Sequence, residues 1–227
     1  MTTGRALPAD PRRILFFDVD GTLVDSYPGI RAGFLAALDS VGCPHPDEQF
    51  LRHLPGPPLE HNLAKLIDDP ADVDRAFRTY MDYTASGGVL EATAFDGMVE
   101  LLQRLRAEGF YLSTATSKGT DNARTVLRAL GFWDSLDFLA AAEEYGGHRR
   151  SKVAVIDYAL DSLGLYKRRD DILMIGDRHH DIDGARQQGL TVCAVTWGYG
   201  TAEEALEADY TAHTPTELEE IIHDWAL

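Results

Sequence analysis

Ile14-Leu15-Phe16-Phe17-Asp18-Val19-Asp20-Gly21-Thr22-Leu23 decides how the rest of the chain is read. An unbroken apolar run that stops at an acid describes a strand buried on both faces, as in a parallel sheet. Alternation puts Asp18 and Asp20 on one side, and Gly21 lets the chain turn sharply after them. Two carboxylates so close repel unless a cation or proton stands between them. A hard divalent ion such as Mg²⁺, which prefers oxygen ligands, relieves that repulsion. Alone, the same Asp-Gly pair also fits a solvated turn, so the motif needs partners elsewhere in the chain.

Apolar runs of the same kind recur at 111–115, 138–142, 172–175 and 191–196. Between them, 97–108 sets Leu101, Leu102 and Leu105 on one helical face and stops at Gly109. The pattern over 121–130 stops at Gly131. The one over 151–163 carries Val153, Ile156, Leu160 and Leu163 and stops at Gly164. Glycine just past the last apolar residue is a common helix stop. Thr214-Pro215-Thr216-Glu217 reads as the N-cap, N1 proline and N3 glutamate of a last helix. Alternating strands and helices predict an α/β domain on a parallel sheet.

The alternation breaks between Tyr27 and Thr93. Ile30, Phe34, Leu35, Leu38 and Val41 form one amphipathic face ending at Gly42, and 63–67 and 73–83 read as further helices between proline-rich turns. A helical stretch of about 65 residues far exceeds the ~2–6 of an ordinary βα connection. The expected division is an α/β core of residues 1–25 and 94–227 with an inserted all-α domain at 26–93.

Composition excludes several classes. The 227 residues are 44% hydrophobic and 26% charged, an ordinary globular profile. No apolar run approaches the ~20 residues that span a bilayer, and 1–13 lacks the apolar stretch of a secretory leader. Two cysteines, Cys43 and Cys193, suggest no disulfide framework, so a cytoplasmic setting is expected. A net charge of −16 argues against a nucleic-acid partner. It also makes the four lysines (Lys65, Lys118, Lys152 and Lys167) conspicuous.

The segment 172–182 repeats the opening arrangement: an apolar strand, Gly176, then Asp177 and Asp181. Two such strand ends converge on one metal only if the strands are neighbours. Ser113-Thr114-Ala115-Thr116-Ser117-Lys118 ends another strand in hydroxyls and a lysine. Arg149-Arg150-Ser151-Lys152 opens a helix, whose N–H groups and dipole favour anions.

Asp-x-Asp-Gly-Thr, a strand-terminal Thr, a Lys, and Gly-Asp-x-x-x-Asp, in that order, resemble the four motifs of the haloacid dehalogenase superfamily. The resemblance runs from Ile14 to about Gly200. Gly56-Pro57-Pro58-Leu59, Ala115-Thr116-Ser117-Lys118 and Trp197-Gly198-Tyr199-Gly200 further resemble its phosphoglycolate phosphatase-like branch, which carries a helical C1-type cap.

The resemblance implies a Rossmann-like parallel sheet with helices on both faces, and hydrolysis of small-molecule phosphate monoesters through an aspartyl-phosphate. Asp18 would be the nucleophile and Asp20 the general acid/base. Mg²⁺ would be held by Asp18, the Asp20 backbone carbonyl, Asp177 and Asp181, the last directly or through water. Thr116 and Lys152 would hold the phosphoryl oxygens, with Ser117, Lys118 and the backbone near Gly21 adding contacts.

Asp20 favours a phosphatase over a dehalogenase, because halide leaves without a proton and an alkoxide does not. A phosphonatase would need a cap Schiff-base lysine, and the cap offers only Lys65. Phosphotransfer to another hydroxyl and a non-catalytic binding role stay open. His179 and His180 read as entrance residues rather than metal ligands, because the neighbouring acids suit a hard ion. Arg178 fits either a screen for the acids or a substrate contact. Arg78 reads as a solvated helix residue, and Phe77, Tyr80 and Tyr83 as cap core.

Overall fold

A computed structural model describes residues 5–10, 12–143 and 147–227. In chain order, β1 (Ile14–Phe17) leads into β2 (Val24–Asp25). The insertion follows as α1 (Tyr27–Asp39), α2 (Glu48–Arg52), α3 (Leu59–Leu63) and α4 (Pro70–Ala85), and the chain returns through β3 (Thr93–Ala94). Next come α5 (Met98–Ala107), β4 (Tyr111–Thr114), β5 (Thr116–Gly119), α6 (Thr120–Ala129), β6 (Ala141–Ala142) and α7 (Lys152–Leu163). The chain ends with β7 (Ile172–Gly176), α8 (His179–Gln188), β8 (Thr191–Val195), α9 (Ala202–Ala205), β9 (Tyr210–Ala212) and α10 (Pro215–Trp225).

The main sheet has the order β4-β1-β7-β8-β9, and every pairing in it is parallel. β1 is fully buried because both its faces are covered. Leu15 and Phe17 pack with α5, α6 and α10, whereas Ile14 and Phe16 pack with α7 and α8. Burying each such side chain stabilises the fold by about 1.5–3 kcal/mol relative to exposure. β7 lies directly beside β1, with Phe17 opposite Ile175, so the two acid-bearing strand ends are neighbours.

Local chemistry sets the helix ends. The Ser151 hydroxyl caps α7 at Ala154 N–H, and left-handed Gly164 stops that helix. Thr214 caps α10 at Glu217 N–H. The insertion has its own apolar cluster, including Phe34, Leu38, Leu51, Leu63, Ala76 and Phe77. Its two connections are drawn together where β2 pairs antiparallel with β3.

Several sequence expectations need correction. Residues 138–142 form no strand of the main sheet; only Ala141–Ala142 pair, with β5, while Phe138 makes a single bridge to Ser113. The run is nevertheless hydrogen-bonded along β4 and its continuation, through Phe138 N–H to the Leu112 carbonyl, Thr114 N–H to the Phe138 carbonyl and Thr116 N–H to the Ala140 carbonyl, and is buried there. The helix expected over 63–67 ends at Leu63; the i, i+4 pair Leu63 and Ile67 records burial across a turn. Helix α2 and strand β9 carry too few apolar residues to show a period.

Asp137 ties the β4 edge together. It is fully buried, accepts from Leu112 N–H at 3.0 Å, and pairs with Arg106 and Arg5. Removing Asp137 leaves the buried Leu112 N–H without its acceptor, whereas Arg5 and Arg106 are partly exposed and keep the Phe110 and Ser135 carbonyls. Asp137→Ala should therefore lower stability by about 1–3 kcal/mol in urea unfolding; an unchanged midpoint would show the network to be dispensable.

Candidate active site

The carboxyl ends of β1, β4 and β7 converge on one point, where ligands bind in open α/β sheets. Asp18 follows β1 and Asp177 follows β7. Asp181 sits in the first turn of α8, where its Oδ2 accepts from Arg178 N–H at 3.0 Å. Lys152 is the first residue of α7 and is buried. Its Nζ lies 2.7 Å from Asp18 Oδ1, 2.7 Å from Asp181 Oδ1 and 2.7 Å from the Ala115 carbonyl. An ammonium has three protons, and here three acceptors surround it.

Burial opposes charge on Lys152, but Asp18 and Asp181 outweigh it and hold the lysine above its ordinary range. Burial raises Asp18 to about 6, with Lys152 opposing and Asp181 and Asp20 adding to the rise. Asp177 is pushed well up by burial and then by Asp181 and Asp18. Oxygens of Asp18, Asp177 and Asp181 lie within 4.8 Å of one another, all buried. One ammonium does not balance three carboxylates, and an all-oxygen donor set of this charge suits a hard divalent cation. The residues therefore fit such an ion.

Glycines allow the close packing. Gly21 has φ +89°, and a Cβ there would lie 2.2 Å from Asp177 Oδ2. A Cβ on Gly198 would lie 2.2 Å from the Gly21 carbonyl and 2.4 Å from Asp177 Oδ2.

Other expected residues take varied positions. The Asp20 side chain stands outside the three-carboxylate group; it accepts from Ser26 Oγ at 2.6 Å and pairs with Lys118 Nζ at 2.9 Å. Lys118, expected as a phosphate contact, is thus engaged with Asp20. Gly21 N–H closes its own turn on the Val24 carbonyl at 2.8 Å, so it does not offer that donor to a ligand. Thr116 is buried, and its Oγ1 accepts from Lys118 N–H. Thr116, Ser117, Lys118 and Lys152 line a cavity of about 170 Å³ together with Asp18 and Asp20.

Arg178 is buried and bridges core and insertion, donating to Glu204 at 3.2 Å and to the Pro55 carbonyl at 2.7 Å. His179 pairs with Glu204 and His180 faces the cavity; neither belongs to the candidate metal group. Phe77 and Tyr80 pack in the insertion's core and also line the cavity, whereas Arg78 is exposed.

The sequence assigned no individual role to Ser26, Tyr199 or the Ala115 carbonyl. Tyr199 N–H donates to Asp177 at 2.6 Å, and its hydroxyl donates to Asp25 and accepts from Ser26 N–H. The aromatic-glycine run 197–200 was the available signal.

The family described as Haloacid dehalogenase-like hydrolase matches residues 15–195, and the chain belongs to that family. Among curated relatives, Tyrosine-protein kinase PtkA of Mycobacterium tuberculosis is 38% identical over 197 residues, covering 86% of this chain and 66% of PtkA. The chain thus spans about two thirds of that relative's length. The 5'-nucleotidase of Pseudomonas aeruginosa is 36% identical over 203 residues, covering 89% of this chain and 88% of its own. The crystal structure of a predicted phosphatase from Clostridium acetobutylicum superimposes with a TM-score of 0.87 at 32% identity, covering 95% of this chain and all of its own. Among the described residues, no helix is long and apolar enough to cross a membrane.

Two measurements test the site. Gly198→Ala should weaken divalent-ion binding by about tenfold or more in calorimetry, because its Cβ displaces Asp177 or the Gly21 turn; native affinity would show that the contact relaxes freely. In the ion-free fold Asp18, raised to about 6, is mostly protonated below that pH, and there an ion must displace the proton. Affinity should therefore rise from about pH 5 to about pH 7, with proton release visible as a buffer-dependent heat. A flat profile contradicts the raised pKa.

Proposed function

We propose that this chain is a divalent-metal-dependent phosphatase that cleaves phosphate monoesters through an aspartyl-phosphate. The observation that carries the reading is Asp18 on the cavity wall, beside Lys152 and within reach of Asp177 and Asp181. Relatives named as a 5'-nucleotidase and a phosphatase support the same reaction class.

Asp18 would attack phosphorus in line with the ester oxygen, breaking that P–O bond and forming the acyl phosphate. Asp20 would give its proton to the leaving oxygen and then take one from the attacking water. Ser26 and Lys118 hold the Asp20 side chain in position, so acid catalysis requires one oxygen to leave Lys118, take up a proton from solvent and pass it to the leaving group. Lys152, Thr116 and Ser117 would receive the phosphoryl oxygens, and Lys152 would reduce the repulsion between nucleophile and substrate. Asp18, the Asp20 carbonyl, Asp177 and Asp181 would hold Mg²⁺, which when bound supplies charge neutralisation at the transferring group. The insertion 26–93 would act as a cap over this chemistry.

The resemblance to PtkA favours a second reading, phosphoryl transfer to a hydroxyl other than water. The two differ in what attacks the aspartyl-phosphate.

Purified protein with Mg²⁺ should hydrolyse p-nitrophenyl phosphate, and Asp18→Asn should abolish turnover. Asp20→Asn should lower kcat by about 10²–10⁴ on alkyl phosphates and by less on p-nitrophenyl phosphate, whose leaving group needs little help. Undiminished turnover by Asp18→Asn sinks the nucleophile assignment. Phosphate release that falls as a hydroxyl acceptor is added favours transfer.

A further inference from the structure

The cavity has two unlike ends. Asp18, Asp20, Thr116 and Lys152 form the chemical end, and the insertion forms the opposite wall. That wall is made from Ile30 and Phe34 of α1, Leu59 of α3, and Phe77, Tyr80 and Met81 of α4. Besides the Tyr80 hydroxyl, the polar cap side chains that reach the lining are already engaged. Asn62 donates to the Leu54 carbonyl and accepts from Lys65, each at 3.3 Å, and the Thr84 hydroxyl donates to the Met81 carbonyl at 2.8 Å. No lysine or arginine of the insertion lines the cavity.

The lysines and arginines that do line it come from the core, and each faces a carboxylate. Lys118 pairs with Asp20, Lys152 with Asp18 and Asp181, Arg150 with Glu60 at 3.0 Å, and Arg178 with Glu204. Two buried nitrogens of the lining lack a hydrogen-bond partner, Arg150 Nε and His180 Nε2, and both belong to the core; a leaving group whose own carboxylate faced the insertion's wall would be desolvated there with no cation to meet it, which is unfavourable. A flat apolar ring would instead gain contact with aromatic and thioether side chains. The cavity volume, about 170 Å³, is on the scale of the roughly 150 Å³ apolar cavity that holds benzene.

We propose that the cap wall formed by Ile30, Phe34, Phe77, Tyr80 and Met81 selects phosphate esters of aromatic alcohols over esters of small hydroxy acids. This preference rests on the phosphatase reading above for its physiological meaning, but it is a statement about binding and is tested as one.

Calorimetry on the Mg²⁺-loaded protein would compare phenylphosphonate, phosphonoacetate and methylphosphonate, which share the phosphoryl end and are not hydrolysed. Phenylphosphonate should bind about tenfold or more tightly than methylphosphonate, as expected for burying a ring. Phosphonoacetate should gain nothing over methylphosphonate. Phosphonoacetate binding as tightly as phenylphosphonate overturns the inference. Met81→Arg, which sets a cation on the wall, should loosen phenylphosphonate and tighten phosphonoacetate, while the volume-conserving Met81→Leu keeps the native ranking. Should Met81→Arg fail to fold by circular dichroism, Ile30→Lys puts a cation on the other side of the wall with the same expectation. A cation there that changes neither affinity removes the wall as the determinant. Turnover of phenyl phosphate is scored separately: its absence with the ligand ranking intact counts against the phosphatase reading alone, and a reversed ranking with turnover intact counts against the preference alone.

Discussion

The Lys152 ammonium is the contact on which the rest of the site depends. It joins the loop after β1 through Asp18, the end of β4 through the Ala115 carbonyl, and α8 through Asp181. Close approach of α7 to α8 is required for this, and Gly184 permits it: a Cβ there would lie 2.7 Å from Lys152 Cγ. Buried ion pairs contribute little net stability, because desolvation offsets their attraction. A buried lysine between two carboxylates is therefore better explained by the chemistry it serves than by the fold it holds.

Lys152 does not neutralise its surroundings, and the surplus falls on Asp177. That residue is packed against Gly21 and Gly198 and is held by Tyr199 N–H. The same segment braces the opening motif, since Trp197 Nε1 donates to the Thr22 carbonyl at 3.0 Å. The Tyr199 hydroxyl also accepts from Ser26 and Tyr27 N–H at the start of α1. One short segment thus connects buried Asp177 to the entrance of the helical insertion.

The division of labour follows from this arrangement. Charge is concentrated at the strand ends, where helix N-termini and a lysine offset it, and apolar surface is concentrated on the insertion. Arg178 to Pro55 and Arg150 to Glu60 join the two at the cavity rim.

The chain order of acids, hydroxyls and lysines was legible in the sequence because the candidate residues lie at the ends of strongly patterned strands or in the first turn of helices. β1, β7 and α7 announce themselves by unbroken apolar runs, by Ser151 and by Gly164, and so Asp18, Asp177 and Lys152 could be named without coordinates. What sequence could not give was partnership. The neighbouring of β1 and β7, the engagement of Lys118 with Asp20, and the turning inward of Gly21 N–H depend on contacts between residues far apart in the chain. Short pieces such as β9 and α2 were equally hidden, because they exist only where a neighbour completes their hydrogen bonds or covers their few apolar atoms. Local patterning thus determined which residues are candidates for the chemistry. Tertiary packing alone decided which of them touch, because the low-dielectric interior that sets their charges is made only when the strands assemble.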